Sequence, residues 1–170
     1  MKNILSSVLL FLCLGCSSHM KTNKLAADLD CPENFSFFFT YDHANSSKEF
    51  GYSGETQIGS TPYPNFIEEF ERSVKALNSE TRFEMRMQES ALLPQANFKE
   101  VKVTIQDIIW HFKKNQATMS ISLDYEVDGQ LIKVIGENTV FVAATKKGNF
   151  YKCLKNGHFQ FLQRYCSSLR

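Results

Sequence analysis

Residues 99–143, KEVKVTIQDIIWHFKKNQATMSISLDYEVDGQLIKVIGENTVFVA, decide the fold. In the middle of this stretch Met119, Ile121, Leu123, Tyr125 and Val127 alternate with Ser120, Ser122, Asp124 and Glu126. Successive strand side chains point to opposite faces, so a period of two puts the first set on a core and the second in water. Asp128-Gly129 follows at once, a pair that tolerates positive φ at both central positions of a type I′ turn, and a new apolar run begins at Leu131. The two runs therefore read as a hairpin. Upstream, Val101, Val103 and Ile105 alternate, after which Ile108, Trp110 and Phe112 carry the apolar positions in the opposite phase. A bulge near Gln106 and Asp107 accounts for the slip. With the polar residues 113–116 as a turn, the stretch predicts an antiparallel meander whose apolar face other elements must cover.

The covering elements lie on both sides of it. Residues 35–41, FSFFFTY, have strand composition, but Phe37, Phe38 and Phe39 fall on both faces. Either that strand is covered on both sides or one ring is left to meet a partner. Asn65 can cap a helix with Glu68 at the capping-box position, and Phe66, Ile67, Phe70, Val74 and Leu77 recur at helical spacing. The helix ends at Asn78-Ser79, and Phe83, Met85 and Met87 then alternate with charged or polar neighbours as a further strand. Near the C-terminus Leu154, Phe161, Leu162, Tyr165 and Leu169 share one helical face, yet Asn156-Gly157 is a turn signal. A helix is expected from about His158 to Leu169, broken before it at Gly157. The sum is an α+β two-layer sandwich, an antiparallel meander within a mixed sheet covered by two helices. A cystatin-like arrangement of one helix on a meander shares the same pattern.

The N-terminus is of another kind. Lys2 precedes an apolar run of eleven residues, 4–14, shorter than the roughly 20 needed to span a bilayer. It reads as an export signal. Gly15-Cys16 at its end resembles a bacterial lipoprotein box, in which a small residue precedes the cysteine that becomes lipid-modified, although Cys13 and Leu14 stand where that box has Leu and a small residue. An ordinary cleaved signal is the competing reading, because Cys13-x-Gly15 and Gly15-x-Ser17 offer small residues at the right spacing. On the first reading residues 1–15 are a lipoprotein signal peptide, 16–30 a tether and 31–170 one domain. Without Lys2, the 19 basic residues become 18 and equal the 18 acidic ones, a balance that gives no reason to expect nucleic acid as a partner. The remaining 155 residues suffice for one core that buries about 70% of the unfolded surface.

The residues that could carry chemistry are few. Cys31, Cys153 and Cys166 remain in the domain, and export permits a disulfide. On one continuous helix Cys153 and Cys166 would lie about 20 Å apart, beyond the roughly 7 Å limit for bridged Cα atoms, so Cys31 is the better partner for either. Three buried unpaired thiols are the other reading. His19, His43, His111 and His158 are scattered without ligand spacing, so no metal or other cofactor is expected. Asp42, His43, Ser46 and Ser47 supply the residue types of a hydrolytic triad within one loop, but a triad is defined by held geometry. Gly51-Tyr-Ser-Gly54 lacks the full Gly-x-Ser-x-Gly elbow, and Asp107 and His111 read as a solvent-facing pair. No enzyme is expected. The Gly- and Pro-rich loop 42–65 exceeds the usual connection length, and Phe50, Tyr52 and Tyr63 make it a candidate partner-binding loop; a mobile loop of no special function reads equally well.

Strand, helix, strand, long meander with an Asp-Gly turn and closing helix, all behind a signal ending at Cys16, resemble small bacterial envelope lipoproteins of the YajG and LptE types. The resemblance rests on element order and on VKVTIQDI…MSISLDYEVDGQLI. It implies a compact α/β sandwich that works by binding, with Cys16 as the one residue carried over. The expected function is that of a membrane-anchored, non-catalytic accessory or assembly subunit of a cell-envelope complex. Its expected partners are the membrane, through the lipid, and an envelope protein. Ser17 after the cysteine resembles the signal for an outer membrane, periplasm-facing, or for the cell membrane where there is only one. The alternative is a lipoprotein that binds a small molecule or lipid between helices and sheet.

Overall fold

The computed structural model describes residue 29, residue 31 and residues 35–54, 62–87, 98–141 and 145–170. The signal segment, Cys16 and nearly all of the tether lie outside the described residues, as does the return segment around Pro94. In chain order the elements are β1 (Ser36–Tyr41), β2 (Gly51–Gly54), α1 (Phe66–Glu80), β3 (Glu84–Met87), β4 (Phe98–Lys113), β5 (Gln116–Val127), β6 (Gln130–Phe141) and α2 (Lys146–Ser168). One mixed sheet has the order β3-β1-β4-β5-β6, with β2 continuing beside β4 beyond the end of β1. The β1–β3, β1–β4 and β2–β4 pairs are parallel, and the meander β4-β5-β6 is antiparallel. Both helices cover one face. The α+β two-layer sandwich is the architecture found, and the one-helix alternative is not.

Local chemistry accounts for each piece. The β4–β5 register shifts between Ile105 and Asp107, so one extra residue inverts the phase and keeps Ile105 and Ile108 on the same, fully buried side. Asp128 and Gly129 both have positive φ, 51° and 73°, as a type I′ hairpin turn requires. The Asn65 side chain accepts the Glu68 N–H at the start of α1. Phe70, Val74 and Leu77 of α1 are buried, whereas Ile67, expected on that face, is 47% exposed. Phe37 and Phe39 point under the helices, and Phe38 lies on the other face edge-on to Phe98, so the first strand is covered on both sides.

The C-terminal helix corrects the expected break at Gly157. α2 runs unbroken for 23 residues, about 35 Å at 1.5 Å per residue. Asn156 and Gly157 read as a turn because both favour left-handed backbone, but here they serve the crossing of α2 over β6. A Cβ on Gly157 would collide with Leu123, and one on Gly136 with the backbone of Cys153 and Gly157. Two glycines facing each other let helix and strand approach at backbone distance. The open edge of β6 is closed by the same helix. Asn156 Oδ1 accepts from Glu137 N–H at 3.0 Å, Gln160 Nε2 donates to the Ile135 carbonyl at 2.8 Å, and Arg164 donates to the Lys133 carbonyl. Three side chains one turn apart thus occupy edge groups that could otherwise template another strand.

The cysteines resolve as well. Cys31 is bonded to Cys166, with Cα atoms 4.8 Å apart, and Cys153 is a buried free thiol. Cys153 Sγ donates to the Met119 carbonyl at 3.1 Å, and burial pushes its thiol pKa far above the ordinary value. The Cys31–Cys166 bond closes one end of the sandwich. Lys99 and Tyr165 both donate to Asp128 Oδ2 at that end, at 2.6 and 2.8 Å, and Lys99 holds the Asp128 carboxyl below its usual range.

Candidate functional site

The far end of the domain brings together the three aromatic residues expected in a binding loop. β4 runs some 50 Å from Phe98, beside the start of β1, to Lys113, at about 3.3 Å per residue. Its last turns pair with β2, a short strand inside what the sequence reads as loop, with Tyr52 opposite Trp110. Tyr63 precedes α1, and α2 begins at the same end with Lys146. The side chain of Lys146 is bounded by all three rings: Nζ lies 4.3 Å from the Tyr63 ring centre, 5.4 Å from Tyr52 and 5.7 Å from Phe50. Such cation–π contacts contribute about 0.5–1 kcal/mol at exposed sites and more when desolvated. Lys146 is only 5% exposed.

The three rings play different parts. Phe50 is buried, edge-on to Tyr63 and Phe66 and tilted against Phe150, so it supports the site and is not itself free to meet a partner, contrary to the expectation for it. Tyr52 and Tyr63 remain 40% and 62% exposed. Beside the cluster Lys147 takes up the nearby acids of α1, 3.3 Å from Glu68 and 3.1 Å from Glu69, while Arg72 also reaches Glu69 at 3.4 Å. Those carboxylates raise the Lys147 pKa, Glu69 first. Sequence reasoning missed Lys146, because nothing local separates it from Lys147; only the fold turns one to acids and the other to rings.

The candidate hydrolytic residues are used otherwise. Ser46 Oγ donates to the Asp42 carbonyl at 2.6 Å and accepts the Ile105 N–H at 2.9 Å, bridging the loop to β4 at the bulge. Asp42 pairs with Lys102 at 2.8 Å and with Asn45, contacts that lower its pKa to about 2. The His43 ring lies edge-on to Tyr41. Ser53 Oγ lies 2.9 Å from His111 Nδ1 on the outer face of the sheet, and Asp107, two alternations away, accepts its neighbour's Ile108 N–H instead of turning to the imidazole.

A second serine–histidine contact lies in the core, with no signal in spacing to reveal it. Ser73 Oγ lies 2.9 Å from His158 Nε2, and Tyr125 OH 2.7 Å from Nδ1. Ser73 gives its proton to the Phe70 carbonyl, so His158 donates from Nε2 and accepts the Tyr125 proton at Nδ1. Burial lowers the His158 pKa to about 3, which fixes a neutral ring among Phe39, Phe70 and Tyr125. This network joins both helices to the sheet as a satisfied polar core.

The fold and these contacts define a helix-covered mixed sheet, disulfide-closed at one end and aromatic at the other. No protein-family model matches the chain, and no curated protein matches it. Among solved structures it is similar to an uncharacterized protein at 9% identity, covering 81% of this chain and 92% of that one, with a TM-score of 0.34. It is also similar to the N-terminal domain of Protein Y from Thermus thermophilus, at 12% identity over 71% of this chain and 96% of that one, TM-score 0.30. A ribosomal subunit interface protein from Coxiella burnetii, 13% identical over 71% and 94%, has a TM-score of 0.28. Likeness at this level carries no functional assignment.

Proposed function

We propose that the protein is a lipid-anchored envelope lipoprotein of the YajG and LptE kind, attached through Cys16 to the periplasmic side of an outer membrane. There it serves as a non-catalytic accessory or assembly subunit of a cell-envelope complex. The observation that carries this reading is the Cys31–Cys166 bond, which suits the oxidising compartment reached by a signal ending at Cys16. The bond lies where the tether enters the domain. Fifteen residues of tether reach roughly 20 Å, at about 5–6 Å times the square root of their number. On this reading Tyr52 and Tyr63 stand at the end directed away from the bilayer, where a protein partner is accessible. The alternative of a ligand between helices and sheet meets a space occupied by Phe37, Phe39, Phe161, Tyr125 and Tyr165, whose rings touch one another.

Intact mass and membrane fractionation of the native protein beside Cys16→Ser test the anchor. A diacylglyceryl mass on the wild type, with loss of membrane association in the variant, is the expected result; an unmodified, soluble wild type overturns it. Photo-crosslinking in intact cells from position 63 then tests the partner, and capture of no envelope protein counts against the accessory role.

A further inference from the structure

Among the described residues, the far end of the domain holds two buried donors without acceptors, Trp110 Nε1 and Asn149 Nδ2, while the buried Glu69 Oε1, which accepts no hydrogen bond, is held in an ion pair by Lys147. Tyr52, Trp110, Met119 and Asn138 form one cross-strand row over β2, β4, β5 and β6 on the helix-covered face. Trp110 is 3% exposed, and its indole Nε1 has no acceptor among the described residues. At the other end of the row Asn138 donates to Asn149 Oδ1 at 2.6 Å, which leaves the Asn149 amide Nδ2 buried and likewise without an acceptor. Asn149 is one turn into α2 from Lys146. Lys146 itself is 95% removed from solvent and makes no ion pair among the described residues. Its neighbouring carboxylates, Glu68 and Glu69, are engaged by Lys147.

Rings stabilise an ammonium without neutralising it, and a buried cation calls for an anion. A buried indole N–H and amide N–H call for acceptors. Tyr52 links the parts, its ring 6.5 Å from that of Trp110 and 5.4 Å from Lys146 Nζ. We propose that this end of the domain binds a carboxylate carried on an apolar body, with Lys146 as counter-ion, Trp110 and Asn149 as donors, and Tyr52 and Tyr63 as walls. One cation between aromatic faces suits a singly charged planar group better than a phosphate dianion. The carboxylate comes either from a small organic acid or from the C-terminus of a partner protein. The inference rests on these contacts and not on the anchor.

Trp110 is the single tryptophan of the chain, so its fluorescence reports on this site alone. Benzoate is titrated into the purified full chain at constant ionic strength, with benzyl alcohol and inorganic phosphate as comparisons. A saturable change with benzoate, absent with benzyl alcohol and weaker with phosphate, is expected. Lys146→Met should weaken binding about tenfold or more, the loss of one charge-assisted contact, and Lys146→Arg should restore most of it. Tyr63→Ala, at a position 62% exposed, should weaken binding several-fold in a protein that still unfolds cooperatively. A peptide ending in a free phenylalanine carboxylate, beside its amide, identifies the source: competition by the acid alone points to a partner's C-terminus, and none to a small acid. No saturable benzoate response, or equal affinity in Lys146→Met that is still folded, overturns the proposal. The titration does not involve Cys16, so its failure is separate from failure of the anchor.

Discussion

Acid should weaken this protein chiefly through one buried side chain. His158 is fully buried, its neutral ring accepts from Tyr125 and donates to Ser73, and its pKa falls to about 3 from an unfolded value near 6.5. The fold excludes the imidazolium, so the stability that the neutral ring allows is complete above about pH 6.5 and is lost as pH falls towards 3. At about pH 4.5, two units below the unfolded value, the loss at about 1.4 kcal/mol per unit is roughly 3 kcal/mol. That is a large fraction of the 5–15 kcal/mol typical of a domain. Guanidinium unfolding near neutral pH and near pH 4.5, with the disulfide intact, measures it. His158→Asn cannot titrate; it should be less stable at neutral pH and should show little further loss on acidification. Wild type that is equally stable at both pH values, or a variant with the same acid loss as wild type, refutes the reasoning. Asp42, at about 2, adds a loss in the same direction, but one that begins only below its unfolded value of 3.8, outside this window.

Other perturbations test the packing. Gly136→Ala places a methyl group against the backbone of Cys153 and Gly157, and should cost on the order of 3 kcal/mol in chemical denaturation, because neither backbone can yield. Reducing Cys31–Cys166 reopens a loop of 135 residues, for which the chain-entropy model gives about 5 kcal/mol; unfolding midpoints with and without reductant read it. Lys114 holds φ at 51° in the β4–β5 turn, so Lys114→Gly should raise stability by roughly 0.5–1 kcal/mol, visible as a higher midpoint. Replacing Asn156, Gln160 and Arg164 together by Ala exposes the β6 edge and should raise self-association above that of the wild type, as sedimentation of the two side by side would show.

The sheet was the most legible part of the molecule. Alternation from Met119 to Val127, the slipped phase around Gln106 and the Asp128-Gly129 turn are relations between neighbours along the chain, and each reappears in place. The Asn65 cap was legible for the same reason. The candidate site was legible only as ingredients: Phe50, Tyr52 and Tyr63 stood out by composition, but not their order around Lys146 or the burial of Phe50.

By itself the sequence determined the antiparallel meander, the phase slip at the bulge and the helix start at Asn65, because backbone preference and side-chain period act over a few residues; that two helices and not one cover the sheet came from the tertiary structure. Tertiary structure alone decided that Gly157 continues a helix instead of breaking it, since the reason is Gly136, 21 residues away on another element. It also decided that Cys166 and not Cys153 bonds Cys31, that His158 joins Ser73 to Tyr125, and that Lys146 is surrounded by rings. Each of those outcomes depends on which distant segments the packed core brings into contact, and no local pattern records that.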